Sequence, residues 1–425
     1  MVKKIHPIKV SEVISNFKIY LDKSVSLRGR ILTKRRMKNY TFFDLMDKEY
    51  PIQLISADNL DICPGDLVEI VGTCSYSKTK EPSVKIDQIT IISRWEASKG
   101  IKTIKYTKKH SPLKAFKFES YKLNLISYLV RKYLKGYLNK EDFLEVQTPI
   151  LCKRYNGGKS FPVKSTYLTN FLGYNRTTFE EKMQALVGMG FDKIYQVGSI
   201  FRSQNEYTFL EVYSSFTEFN KGKEMVKNLL KYVIDNLKRS DPSLTNEITI
   251  SLSKKDWKDV DFFEELQNLV EEDISKIRTD GRKILKLLAN KKIITSKDTS
   301  LETLADVICR ITAKKYQGLL FINNLPVWSS PLYKKKDDFT LYRTRGFLPN
   351  QKGSFELGLQ ENNYDEFIDR EKEQKKDWKT KYINDQDLAE VISGGLPPMF
   401  GFAINPERIS KIFYPQATID PFFEN

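Results

Sequence analysis

Histidine and cysteine are scarce: the 425 residues hold two of the first and four of the second. Cys63, Cys74, Cys152 and Cys309 form no C-x-x-C pair, and only His6 and His110 offer imidazole. This argues against a zinc site or a Cys/His nucleophile, and for a reducing compartment and chemistry without a protein nucleophile. No apolar run reaches the roughly 18 residues of a membrane span, and the opening MVKKIHPIKVSEVISNF has no signal-peptide core. The expectation is a cytoplasmic protein with no membrane segment. Internal repeats are absent, and the one biased tract, DREKEQKKDWKTK, reads as a solvated helix.

Positive charge is plentiful. Lys and Arg number 70 against 54 Asp and Glu, a net +16, which favours a polyanionic partner; the plainer account is a lysine-rich solvated surface. With 40% apolar residues the chain is long enough for two or three cored domains.

Five short alternating runs, SVSLRGRIL, YTFFDLMD, YPIQLIS, DLVEIVGTCSYS and VKIDQITIIS, lie between Ser24 and Ser93 with turn-forming clusters between them. They read as a small closed antiparallel barrel of the oligonucleotide-binding (OB) type. The basic stretch that follows lacks clean periodicity and reads as a linker. The division is 1–97 for the barrel, 98–117 for the linker and 118–425 for a larger α+β domain. There Leu125, Tyr128, Leu129, Lys132 and Tyr133 predict an amphipathic helix ending near Gly136. Beyond it KIYQVGSIF, GLLFINNLPVW and MFGFAIN read as buried strands, separated by helical stretches such as EMVKNLLKYVIDNLKRS and DTSLETLADVICRITAKKY.

Arg202 follows the strand-like KIYQVGSIF, where a guanidinium can offer a planar fork of donors to a phosphate. Taken alone, a Phe-Arg pair is more often a surface ion pair. Three segments change that: DFLEVQTPIL (Asp142 to Leu151), the stretch from Phe161 to Gln204, and GGLPPMFGFAINPERISKIF (Gly394 to Phe413). In order and spacing they resemble the three signature motifs of class II aminoacyl-tRNA synthetases, within the aspartyl/asparaginyl/lysyl subgroup. LFINNLP with SPLY, and FELG, resemble two further strands of that subgroup.

The resemblance implies an N-terminal OB-fold β-barrel that reads an anticodon, then an antiparallel-sheet catalytic domain, in a homodimer built across FLEVQTPIL. It implies ATP with Mg²⁺, an amino acid and tRNA. The amino acid carboxylate attacks the α-phosphate, and the enzyme contributes positioning and charge neutralisation. Carried over position by position, Arg202 holds the α-phosphate and Arg408 the γ-phosphate, both as catalytic residues. Gln204 and Glu356 complete the ATP-binding set, Glu356 as the Mg²⁺ ligand. Glu180 grips the α-amino group, with Gln184 and Arg176 beside it as amino-acid-binding residues. In the barrel Phe42 stacks on an anticodon base, Gln53 reads one, and Arg28, with Arg30, serves the backbone. Phe42 and Phe43 must point opposite ways, so one of them belongs to the barrel core.

The pattern also departs. Gln204 stands where the family's second motif has glutamate, and neither arginine nor histidine occurs between Arg202 and Lys221. Phe209 and Leu210 fall at the family's Arg-His positions, unless a deletion lets Glu211 match the glutamate that ends the loop. Losing one preorganised donor typically costs roughly a hundred- to a thousandfold in rate. In the third motif Ala403 and Asn405 replace glycines and Phe400 fills a position small in the relatives, so crowding of the adenine is expected. Met183 replaces the lysine of aspartyl enzymes, and Asn363 falls where lysyl enzymes place a second glutamate. Lys221, Lys223, Arg343 and Arg345 are candidate replacements for the lost charge. Three functions fit: a ligase charging tRNA, the same adenylation serving another acceptor, and a non-catalytic tRNA-binding paralogue.

Overall fold

In the N-terminal unit, period-two burial builds the barrel. On β3 (Thr41–Asp47) Thr41, Phe43 and Leu45 are buried while Phe42, Asp44 and Met46 are more exposed. The computed structural model describes residues 6–47, 50–95, 118–154, 160–164, 171–202, 205–240, 257–294, 299–349, 355–377 and 386–413. The linker expected over 98–117 and Gln204 lie outside them. Before β3 come β1 (Pro7–Ile8), α1 (Val10–Ser15), α2 (Phe17–Tyr20) and β2 (Ser24–Arg36); after it come β4 (Tyr50–Ser56), β5 (Leu67–Tyr76) and β6 (Pro82–Ser93). The order is β1-β2-β3-β4-β6-β5, and β2 also pairs with β5. That second pairing closes β2 to β6 into the expected OB-type barrel, which removes the open edges of a sheet. Leu27, Ile31, Phe43, Leu45, Leu54 and Ile70 fill its core.

The second unit begins at Ile126 within α3 (Phe118–Lys140), which runs through Gly136 rather than stopping there. Leu134, Tyr137 and Leu138 bury themselves on either side of that glycine, and such packing outweighs the ~1 kcal/mol that glycine costs a helix interior. Then follow β7 (Leu144–Glu145), β8 (Leu151–Cys152), β9 (Pro162–Lys164), β10 (Phe171–Asn175), α4 (Glu180–Gly188), β11 (Lys193–Arg202), β12 (Asn205–Ser215) and α5 (Phe219–Ser240). Next are β13 (Lys258–Asp261), α6 (Phe262–Val270), α7 (Gly281–Asn290), α8 (Leu301–Ala313) and β14 (Leu320–Asn323). The chain continues with β15 (Arg343–Phe347), β16 (Phe355–Leu359), α9 (Tyr364–Asp377), α10 (Gln386–Ser393), β17 (Met399–Ile404) and α11 (Pro406–Phe413). The expected strand GLLFINNLPVW is strand only over Leu320–Asn323, because Asn324 turns to a φ of 57°, a left-handed value that ends extended pairing.

An eight-stranded sheet, β13-β14-β15-β16-β17-β12-β11-β7, forms the body of this unit, antiparallel through its centre and parallel in the outer pairs β13–β14 and β7–β11. Leu210, Val212, Phe355, Leu357, Phe400, Phe402 and Ile404 point to one face and join residues of α3, α5 and α11 in the largest apolar cluster. The alternate residues face the other way: Glu356, Gly358, Gly401, Ala403 and Glu211 make the floor of a site, while Tyr213 and Met399 on the same face join an apolar cluster with α4 and α10. No described helix is long and apolar enough to cross a membrane.

Candidate active site

Strand register writes the floor row by row, since directly paired residues share a face. One row reads Gln196, Glu211, Ala403, Glu356 and Arg345 across β11, β12, β17, β16 and β15. The next reads Ile194, Tyr213, Gly401, Gly358 and Arg343. A Cβ at Gly401 would lie 2.4 Å from Gln360 Nε2 and 3.0 Å from the Tyr213 ring, so a side chain here would displace Gln360.

Glu356 is the electrostatic centre of the row. Its Oε1 accepts from Nη2 of Arg343 and from Nε (3.1 Å) and Nη2 of Arg345. Burial alone would raise the carboxyl, but the Arg343 and Arg345 guanidiniums hold it down to about 2. Arg343 also donates Nη1 to Ser329 Oγ at 3.0 Å, and Arg345 pairs through Nη1 with Asp306 of α8. Magnesium takes several oxygen ligands in near-octahedral array. The protein usually supplies only one or two of these as carboxylates, and here Oε1 of the carboxylate expected to bind it is engaged by two guanidiniums. The side chains around Glu356 therefore do not fit Mg²⁺.

Arg202 sits at the end of β11, exposed, with its guanidinium 5.2 Å from the centre of the Phe209 ring. Pairing of β11 with β12 continues to Arg202↔Asn205, so only residues 203 and 204 connect the strands where the family has a long loop. Phe209 shares the site face with Arg202, whereas Leu210 is buried in the opposite core. Arg408 lies in the first turn of α11, whose start is capped by Asn405 accepting from Glu407 N at 2.8 Å. Burial lowers the Arg408 pKa, and the nearby charges of Arg202, Arg310 and Arg345 lower it further. Arginines from β11, α8, β15 and α11 thus converge. Arg310 was not expected; nothing in the spacing of its helix marks it.

Phe400 does not crowd the site as expected. It is fully buried on the far face, because the residue before a site-facing Gly401 must point away. Its ring occupies the space beside Gly222 of α5, where a Cβ would meet it at 2.4 Å. Ala403 does face the site, and Asn405 serves as a helix cap. Lys221 pairs with Glu218 at 3.7 Å, and Lys223 donates to Asn323 Oδ1 at 2.8 Å. Both stand on α5, which packs against the apolar face, so of the four candidate replacements the floor holds Arg343 and Arg345.

At the other end α4 begins with Glu180. Gln184 donates Nε2 to Glu180 Oε1 at 3.1 Å and to Gln360 Oε1 at 3.4 Å. Its Oε1 is buried without a hydrogen-bond donor. Glu211 accepts from Thr178 Oγ1 at 2.9 Å and Phe179 N at 3.2 Å, and burial pushes its carboxyl up against these bonds. Arg176 donates Nε to Ser199 O and Nη1 to Thr148 O, each at 2.7 Å, and lies against the Phe179 ring. Its donors thus tie β11 to the segment after β7. Met183 is core, packed with Phe179, Val187 and Leu388, and Asn363 accepts from Glu366 N at 3.1 Å at the start of α9.

In the barrel, Phe42 lies opposite Ile55 and Arg35, and Gln53 opposite Asp44 and Ser83. Phe43 is the buried member of the aromatic pair, so Phe42 lies half-buried on the other face, the same side as Gln53, which is itself buried rather than open to a base. Gln53 accepts from Ser83 Oγ at 3.0 Å and donates to Glu81 at 3.2 Å. Arg28 pairs with Glu69 at 2.7 Å, about 20 Å along β2 from the Phe42 row at ~3.3 Å per residue. Arg35, which the motifs did not single out, is the arginine beside Phe42.

Comparison with known proteins agrees with this architecture. The model of class II tRNA synthetases (D, K and N) matches residues 105–422, and that of an OB-fold nucleic-acid-binding domain matches residues 25–92. The chain belongs to the class II tRNA synthetase family, and it is an aminoacyl-tRNA ligase; the non-catalytic and non-tRNA readings are not favoured. Similar curated proteins include the lysine–tRNA ligases of Clostridium tetani, 25% identical, and Thermoanaerobacter pseudethanolicus, 24% identical. Each match covers 94% of this chain and 86% of the relative. Ligases of this class generally use ATP and a divalent metal.

The Glu356 cluster yields a stability test. Because the folded carboxyl is depressed from 4.5 to about 2, its contribution is complete above about pH 4.5 and is lost as pH falls towards 2. Glu356→Gln should cost about 3 kcal/mol near neutral pH, and the gap from wild type should narrow through that window. Denaturant titrations of both proteins across pH measure it; a gap independent of pH contradicts the assignment.

Proposed function

We propose that the chain activates an amino acid with ATP at the polar face of the eight-stranded sheet and transfers it to tRNA held by the barrel, with domains divided at 1–97, 98–117 and 118–425. The observation that carries this reading is the convergence of Arg202, Arg310, Arg345 and Arg408 at one end of a floor whose other end presents the buried acceptor Gln184 Oε1. Like charges gathered at one place favour a polyanion such as triphosphate. A buried acceptor lacking a donor costs about 1–3 kcal/mol, which a substrate ammonium beside Glu180 and Gln184 would recover. Arg202 and Arg408 then hold the phosphates while a carboxylate oxygen of the amino acid attacks the α-phosphorus and pyrophosphate leaves.

Lysine is the first amino acid to test. It is the one named in the relatives, and Glu180 and Glu211 offer carboxylates at the Gln184 end of the floor for a cationic substrate. Pyrophosphate exchange assayed with all twenty amino acids should be strongest with lysine, and Arg202→Ala or Arg408→Ala should lower it by about two orders of magnitude or more. Absence of exchange with every amino acid in a folded protein would sink the reading.

For the barrel, Phe42→Ala should weaken tRNA binding by about 1–3 kcal/mol, on top of a backbone component that fades with salt. Filter binding at several salt concentrations tests this, and unchanged affinity throughout refutes it.

The homodimer is supported by the exposure of Leu144 (56%), Ile150 (51%) and Leu151 (40%) around the edge strand β7. Such an apolar edge suits a two-fold contact. Light scattering should give a dimer for the wild type and a monomer for Ile150→Glu; a monomeric wild type at micromolar concentration removes the proposal. The free state of all four cysteines suits a cytoplasmic location, which cell fractionation would check.

A further inference from the structure

One oxygen of Glu356, the carboxylate that the family resemblance assigns to a metal ion, is taken up by the protein's own cations, while Oε2 accepts from the Tyr333 hydroxyl at 3.5 Å. Oε1 accepts three guanidinium hydrogen bonds from Arg343 and Arg345. Both arginines are anchored at a second point: Arg343 on Ser329 Oγ at 3.0 Å, and Arg345 on Asp306. Anchored forks of this kind are rigid, always charged and matched to oxyanions. Around them stand Arg202, Arg310 and Arg408, with Arg202, Arg310 and Arg345 close enough to Arg408 to repel its charge. Two further carboxylates face this group, Asp306, which pairs with both Arg310 and Arg345, and Glu302, but a divalent cation sharing Glu356 Oε1 would have to displace a guanidinium, and the cations still outnumber the carboxylates. A triphosphate has the opposite balance, since each arginine it meets is relieved of repulsion from its neighbours.

We propose that this site binds the triphosphate of ATP without a divalent cation, with the guanidinium of Arg345 supplying beside Glu356 the positive charge that a metal would supply. The proposal rests on the ligase reading and concerns how the same site neutralises its nucleotide. All three guanidinium nitrogens of Arg345 are engaged at present, Nε and Nη2 by Glu356 and Nη1 by Asp306, so it acts on the triphosphate by exchanging one of these carboxylate contacts for a phosphate oxygen.

The test is calorimetric titration of the full chain with ATP at constant ionic strength, once in EDTA and once in excess Mg²⁺. The expected dissociation constants agree within about threefold, whereas loss of one charge-assisted phosphate contact changes affinity by about tenfold or more. Arg345→Gln should weaken ATP binding about tenfold in EDTA and make it magnesium-dependent. Mn²⁺ added to the ATP-free wild type should retain the electron paramagnetic resonance spectrum of the free ion.

Wild-type affinity that falls tenfold or more in EDTA overturns the proposal and leaves the ligase reading standing. So does a bound Mn²⁺ signal that Glu356→Gln abolishes, or ATP affinity in EDTA that Arg345→Gln leaves unchanged. Failure of ATP to bind in either condition overturns the proposal and the ligase reading together.

Discussion

Strict alternation along the central strands of the eight-stranded sheet is the constraint from which the rest follows. Each strand must present apolar residues to α3, α5 and α11 and polar ones to the site, and β17 transmits that requirement because it pairs with both β12 and β16. A slip of one residue would send Glu356 and Glu211 into the apolar core and bring Leu357 and Val212 out. Packing of the core face therefore fixes the site face. Phe402 and Leu357, which touch no substrate in this account, hold Ala403 and Glu356 in register.

Charge on that face is arranged at a cost. Gathering arginines over a half-buried floor works against the folded state, and Glu356 and Asp306 offset only part of their repulsion. Breaking such a pair is far more damaging than its net contribution suggests, because it leaves a buried charge uncompensated. What the arrangement gains is preorganisation: donors already fixed need little reorganisation when phosphate charge arrives. The same economy applies to Arg202, which sits on a paired strand and against the ring of Phe209 instead of on a long loop.

Much of the architecture was legible from the amino acids alone. The barrel strands between Ser24 and Ser93 were, because alternation and turn clusters are local signals. Arg202, Glu356 and Arg408 could be singled out because motif spacing survives divergence. Gly136 misled, since the packing of Leu134 and Leu138 that carries the helix past it is tertiary. Phe400 misled differently: its bulk was visible, but its direction follows from the face that Gly401 takes. Arg310 and the partners of Arg345 were beyond reach, because Asp306 and Glu356 meet Arg345 only through the fold, from α8 and β16.

Gly222 and Phe400 together behave as one steric quantity divided between two distant points of the chain. The benzyl group projects into the space that the glycine vacates, so the size of either residue dictates the size allowed at the other. A chain with a small residue at 400 would carry a void against α5 unless residue 222 grew to fill it, and a larger residue at 222 would expel the phenyl ring. The two positions are thus sterically coupled in this chain, even though one lies in a signature strand and the other in a helix on the apolar face. Signature residues of this kind record the packing history of the scaffold as much as the demands of catalysis.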